Sequence, residues 1–286
     1  MAEPICIIGD SITGGVVYLS DSAKYTHWKD SFVNLLGASL DTEMKNHSKF
    51  GCTSGAALKR LERYSKDIAA CPNTLVMLGG NDSDFNWPAV AAEPEAPHDC
   101  NTPMARFTEY YNKVLDGIQA LGSKPVVINL IPVYGRRYFE WFSQKLDPKA
   151  LMRFLGTTNS IEHWNEMYNL AVMRIAAKRG VPMLDVRSAF LEKRDFEGLF
   201  SEDGIHPSLR GTGECSTTSC PRRRGYWPDV NSKELRMQGI RRLFLRPQSG
   251  RRHFLRPVRT QRPQPRALAR AIRAAKMAST ERPRRA

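Results

Sequence analysis

The chain has 286 residues and a formal net charge of +14, with 41% hydrophobic and 25% charged residues. That balance supports a packed globular core. Six cysteines in this length exclude a disulfide scaffold, and without an apolar run of about 18 residues no transmembrane helix is read.

The charge is uneven. Residues 211–286 hold 20 Lys and Arg against 4 Asp and Glu, a balance of +16, while the first 210 hold 23 against 25, a balance of −2. Residues 1–10 show neither a basic n-region nor a signal-type apolar stretch, so the expected location is cytoplasmic. Cys6 sits in an apolar run and reads as a buried thiol, and Cys215 and Cys220 are too isolated to make a zinc site by themselves.

Short apolar runs at 4–9, 46–50 (weak), 74–79, 125–130 and 181–185 read as strands. Amphipathic segments lie between them. Residues 28–40 carry Phe32, Leu35, Leu36 and Leu40 at helical spacing, and 55–70 carry Leu58, Leu61, Ile68 and Ala69. Residues 104–121 carry Phe107, Tyr111, Val114, Leu115 and Ile118. Residues 160–180 carry Trp164, Met167, Leu170, Ala171 and Ile175, with Gly180 as a stop. Strands alternating with helices predict a parallel sheet covered on both faces. Such sheets bind ligands at the carboxyl ends of their strands.

Two insertions interrupt the pattern. Residues 83–103, rich in Pro and Ala, read as a long loop. Residues 132–159 contain Tyr134, Tyr138, Phe139, Trp141 and Phe142 and read as a helical cap. Tyr134, Tyr138 and Trp141 are candidate substrate contacts, with covering of the sheet edge as the competing reading.

Four motifs fall where the parallel sheet expects ligands. Gly9-Asp10-Ser11 follows the first strand and puts a hydroxyl at the sheet edge, where Ser or Asp would equally cap a helix. Gly51 follows the weak strand. Alone it reads as a turn before a helix capped by Thr53 or Ser54, and as a ligand contact it offers a closely approaching N–H. Gly79-Gly80-Asn81-Asp82 allows a tight turn from which Asn81 can present its amide donor. In Asp203-Gly204-Ile205-His206-Pro207, a carboxylate three residues before a histidine can bind Nδ1–H and leave Nε2 as a base. Together they supply a nucleophile, oxyanion donors, a base and its orienter, the parts needed for acyl transfer.

These four blocks, in this order over residues 4–208, resemble those of the SGNH (GDSL) hydrolase superfamily. The resemblance implies a flavodoxin-like α/β/α sandwich with a five-stranded parallel sheet. It implies Ser11 as nucleophile, His206 as base and Asp203 as its orienter, with the Ser11 N–H, the Gly51 N–H and the Asn81 side chain as oxyanion donors. It needs no metal or organic cofactor, and the adjacent His98, Asp99 and Cys100 carry little weight as a metal site. The expected substrate is a small-molecule, carbohydrate or lipid ester.

The sequence departs from the family in three places. Ile12 stands where the name motif has Leu, and Gly55 is a rival to Gly51. No closing apolar helix follows His206-Pro207. The body, residues 1–210, is expected to give way to a mostly disordered Arg- and Pro-rich segment at 211–286, with a crude ten-residue repeat at 241–260 and one basic helical pattern at 266–277. Two readings of that segment stay open. It is a basic extension that binds nucleic acid or another polyanion, or it is read out of frame after about Arg210, which is the preferred reading.

Two other functions compete. One is a nucleic-acid-binding protein with an inert body, and the near-neutral body argues against it. The other is a nucleotide-binding flavodoxin-like module, and residues 9–15 lack both the Walker lysine pattern and Gly-x-Gly-x-x-Gly. Oligomeric state is not readable from the sequence.

Overall fold

A computed structural model describes residues 3–217. The segments 241–260 and 266–277, Cys220, and the polyanion and frame readings of the basic segment beyond Thr217 lie outside the described residues.

The elements run β1 (Ile5–Gly9), β2 (Val16–Leu19), β3 (Lys24–His27), α1 (Phe32–Leu40), β4 (Met44–Asn46), α2 (Ser54–Arg60), α3 (Ser65–Ala69) and β5 (Asn73–Met77). They continue with α4 (Trp87–Ala92), α5 (Met104–Ala120), β6 (Lys124–Ile128), α6 (Gly135–Phe142), α7 (Pro148–Leu155), α8 (Asn159–Arg179), β7 (Met183–Leu184), α9 (Arg187–Leu191) and α10 (Leu209–Thr217). Among the described residues no helix is long and apolar enough to cross a membrane.

Five strands form one parallel sheet in the order β4-β1-β5-β6-β7. Every residue of β1 and β5 is buried, as expected of strands covered on both faces. The chain order reverses between β1 and β5, and such a switch point opens a crevice at the carboxyl ends of those two strands. Helix α5 buries Phe107, Tyr111, Val114, Leu115 and Ile118, the stripe its spacing predicts.

Several elements differ from the sequence reading. The weak strand expected at 46–50 is assigned at Met44–Asn46, because the Asn46 side chain accepts from the Ser48 amide and turns the chain. The amides of His47 and Lys49 still donate to Ile7 and Gly9 carbonyls of β1. The helix expected over 55–70 breaks into α2 and α3, where the amides of Leu61, Tyr64 and Ser65 close tight i→i−3 turns. On α8, Met167 and Leu170 are exposed, and the buried face is Ile161, Asn165, Tyr168, Val172 and Ile175. That face holds asparagines because Asn165 accepts from Arg187 and Asn169 accepts from the Leu130 amide. A hairpin, β2–β3, stands between Ser11 and the first helix where none is expected.

The two insertions fold together. Residues 83–103 contain α4, capped by the Asn86 side chain. Trp87, Val90, Tyr138, Leu151, Leu155 and Ile161 form a small core of their own, separate from the main one. Trp87 stacks on Phe142 at 4.1 Å between centroids.

A closing helix is present where none was expected. Helix α10 starts at Leu209, and Ser208 caps it by accepting the Gly211 amide at 3.1 Å. It docks by close backbone approach rather than by large apolar side chains. A Cβ at Gly211 would lie 2.0 Å from the Leu199 carbonyl oxygen and 3.3 Å from Pro207. Since backbone cannot yield as a flexible side chain can, Gly211→Ala is expected to destabilise the chain by about 2 kcal/mol or more. A thermal melt with an unchanged midpoint would show that α10 does not dock there.

Candidate functional site

Ser11 leaves β1 in a tight turn. Gly9 is required there, because a Cβ would sit 2.1 Å from the Thr13 hydroxyl. The Asp10 carboxylate accepts from the Ile12 amide at 2.9 Å, and the Asp10 and Ser11 carbonyls accept from Gly14 and Val16 amides. The chain then enters the β2–β3 hairpin rather than the helix expected after the serine.

His206 lies on the loop between α9 and α10. Its Nε2 stands 2.8 Å from Ser11 Oγ and its Nδ1 2.5 Å from Asp203 Oδ2. An ionised carboxylate has no proton to give, so Nδ1 donates and Nε2 is left to accept the Ser11 hydroxyl proton. All three side chains are nearly inaccessible, at 6% (Ser11), 2% (His206) and 0% (Asp203) exposure. Asp203 Oδ1 accepts from the amides of Ile205 and His206. Burial alone would raise its carboxyl, but the hydrogen bond and charge of His206 and these amides hold it below the ordinary range.

Asn81 lies just beyond β5. Its Nδ2 is 3.5 Å from Asp10 Oδ2 and 3.4 Å from the Cys52 carbonyl, both at the outer limit of a hydrogen bond, so the donor is only loosely engaged. Asp82 is fully buried and accepts from the Ser54 amide and hydroxyl, which ties the Asn81 turn to the start of α2. Gly51 precedes α2 in an exposed turn at φ +68°. Its neighbour Phe50 stacks on the His206 ring at 5.6 Å. The rival Gly55 lies inside α2 against the Tyr110 ring.

A cavity opens beside Ser11 and His206, walled mostly by apolar groups, Met77, Trp87, Leu130, Ile131 and Trp164 among them, with Asp10, Asn81, Ser83, Asp84 and Asn165 as polar points. Of the three aromatic candidates from the cap, Tyr138 lines this cavity. Tyr134 instead donates its amide to the Gly204 carbonyl and carries the Arg137 guanidinium over its ring. Trp141 meets Tyr18 of the hairpin edge-on at 4.7 Å. Neither of these two lines the cavity.

Sequence reasoning missed Tyr25. Its hydroxyl donates to Asp203 Oδ2 at 3.0 Å, and its ring packs on His206 at 5.2 Å and edge-on to Phe50 at 5.3 Å. The available signal was the short pattern Val16-Val17-Tyr18-Leu19 and Lys24-Tyr25-Thr26-His27 around Ser20-Asp21-Ser22.

Burial raises the Asp10 carboxyl from 3.8 to about 6, against the opposing hydrogen bond from Ile12. Between those values the folded chain binds more protons than the unfolded one, so this group favours folding below about pH 4 and its contribution is lost as pH rises through about 6. The shift corresponds to about 3 kcal/mol. Asp10→Asn keeps an acceptor for Ile12 and removes the titration. The parent's melting midpoint is expected to fall, relative to the variant's, between about pH 4.5 and pH 7. Parallel pH profiles would remove Asp10 as the source.

Comparison with known proteins gives the family and the fold. The model of the GDSL-like lipase/acylhydrolase family matches residues 7–212. Among solved structures, the lipase/acylhydrolase from Enterococcus faecalis superposes with a TM-score of 0.54 at 18% identity, over 76% of this chain and 92% of that one. A catalytic mutant of Axe2, an acetylxylan esterase from Geobacillus stearothermophilus, gives 0.53 at 16% identity, over 76% and 91%. A member of the lipolytic G-D-S-L family from Veillonella parvula gives 0.51 at 14% identity, over 75% and 94%. At these identities the structures speak for the fold. No curated protein sequence matches the chain. The family match covers well over half of the 286 residues and includes Ser11, Gly51, Asn81, Asp203 and His206, so the chain belongs to the GDSL-like lipase/acylhydrolase family of hydrolases.

Proposed function

We propose that this chain cleaves carboxylic esters by two-step acyl transfer through Ser11, His206 and Asp203. The observation that carries the reading is the continuous hydrogen-bonded path Ser11 Oγ···His206 Nε2 and His206 Nδ1···Asp203 Oδ2, at the wall of a cavity.

His206 Nε2 takes the hydroxyl proton as Ser11 Oγ bonds to the ester carbonyl carbon. Negative charge moves to the carbonyl oxygen. The Ser11 N–H, the Gly51 N–H and Asn81 Nδ2 are assigned to that oxygen, each worth about 3 kcal/mol when well placed. Collapse expels the alcohol, which leaves with the proton from His206. Water then attacks the acyl-enzyme, again giving its proton to His206, and Ser11 departs as the acid is released. Asp203 holds the imidazole in its working tautomer and stabilises the imidazolium.

The substrate class is a short to medium acyl ester, on an alcohol, lipid or sugar. The acetylxylan esterase and lipase/acylhydrolase among the structural neighbours keep both the sugar and the lipid alternatives within this class. The mostly apolar cavity suits an alkyl or ring portion of either. Tyr138 is assigned as the substrate-facing aromatic, in preference to Tyr134 and Trp141.

Initial rates on p-nitrophenyl acetate and butyrate at neutral pH test this. The parent is expected to turn over, and Ser11→Ala to lose about a hundredfold or more. Equal rates for the two proteins would remove Ser11 as nucleophile.

A further inference from the structure

Asp84 takes no part in the mechanism above, yet it lines the same cavity as Ser11 and His206. Its surroundings there are largely apolar: Trp87, Leu130, Ile131, Val133, Ile161 and Trp164 share the wall. A wall that receives only alkyl groups gains nothing from a carboxylate, because a partly buried charge costs free energy unless it is fully met by donors.

The donors to Asp84 are neutral. Tyr138 donates its hydroxyl to Oδ2 at 2.7 Å, and Trp87 donates Nε1 to Oδ1 at 2.9 Å. Several other acidic side chains pair with cations, Asp67 with Lys45, Glu166 with Arg187 and Asp195 with Arg210 among them. Among the described residues no ion pair involves Asp84. A carboxylate offers about four acceptor directions, and the two side-chain donors leave part of that capacity open. Burial keeps the carboxyl raised despite the hydrogen bonds from Tyr138, Phe85 and Trp87.

We propose that Asp84 is a substrate-recognition residue, and that the cavity takes an ester carrying a hydrogen-bond donor, a hydroxyl or ammonium group, which completes the Asp84 carboxylate. The inference rests on the hydrolase reading of the site and names its substrate class. Tyr138 and Trp87, whose polar atoms also meet each other at 3.3 Å, already orient the two carboxylate oxygens. The alternative role is structural: Asp84 joins Trp87 of α4 to Tyr138 of α6, and those two groups need an acceptor whatever the ligand.

Binding separates the two roles without requiring turnover. The full chain is titrated with butanamide, 3-hydroxybutanamide and 3-aminobutanamide at neutral pH, and tryptophan emission is followed, since Trp87 and Trp164 line the cavity. At least one donor-bearing amide is expected to bind tenfold or more tightly than butanamide, and the hydroxyl and ammonium arms identify which donor is taken. In Asp84→Asn, which keeps the side-chain shape and one acceptor oxygen, that margin is expected to shrink about tenfold. A melting curve for the variant confirms that it is folded. The proposal is overturned if butanamide binds as well as both donor-bearing amides, if none of the three changes the emission, or if the margin survives in Asp84→Asn. Hydrolysis of p-nitrophenyl butyrate, measured on the same preparation, reports on the hydrolase reading separately.

Discussion

The fold turns on keeping one carboxylate ionised where water does not reach it. Asp203 is fully buried, and such a charge survives only if donors replace its lost hydration. Four do: the amides of Ile205 and His206 on one oxygen, and His206 Nδ1 and the Tyr25 hydroxyl on the other. Three belong to its own loop. The fourth comes from the hairpin that directly follows Ser11, 178 positions away in sequence. The segment that carries Ser11 thus helps to satisfy the carboxylate that meets His206, and these two distant parts of the chain close on each other both at Tyr25 and at Ser11.

The acidic groups near the carboxyl edge of the sheet differ in how far their donors offset burial. Asp10, Asp82 and Asp84 are raised by burial, whereas Asp203 and Asp185, the latter just beyond β7, are lowered. Asp82 is met by the Ser54 amide and hydroxyl, Asp84 by a phenol and an indole, and Asp10 chiefly by the Ile12 amide. At these three the donors offset only part of the desolvation. At Asp185 the donors on Ser188 and Asn129 outweigh it, and at Asp203 those of His206 and Ile205 do. Five carboxylates along one sheet edge are therefore held in different electrostatic conditions by burial and by their neighbours.

Much of this was legible in the sequence. Strands β1, β5 and β6 are largely buried, so they read as short apolar runs; Ser11, just beyond β1, meets His206, and Asn81, just beyond β5, lines the same cavity. The spacing of Asp203 and His206 is local, and a local hydrogen bond is easy to foresee. Tyr25 was not, because its partner is remote and its strand has four residues with three of them exposed. The face of α8 was misjudged for a related reason. Asn165 and Asn169 are buried to serve Arg187 and Leu130, and a search for apolar periodicity passes over them. Helix α10 escaped notice because it docks through Gly211, where packing comes from the absence of a side chain.

The cap and the loop that carries His206 are coupled through Gly204. Its φ is +73°, its carbonyl accepts from the Tyr134 amide, and a Cβ there would lie 2.6 Å from the Tyr138 amide and 2.8 Å from the Tyr134 carbonyl. Arg137 of the same helix donates to the carbonyls of Glu197, Phe200 and Ser201, just upstream of the base. The helix that brings Tyr138 to the cavity wall is thus also the bracket that seats His206. The shape of the cavity and the seating of His206 are not separable here. Exchanging residues 132–159 for another sequence would change the cavity wall and, in the same stroke, how firmly His206 is held. Sequence change in this insertion can alter the cavity wall without loosening that loop only where it spares Arg137 and the backbone path of α6 against Gly204.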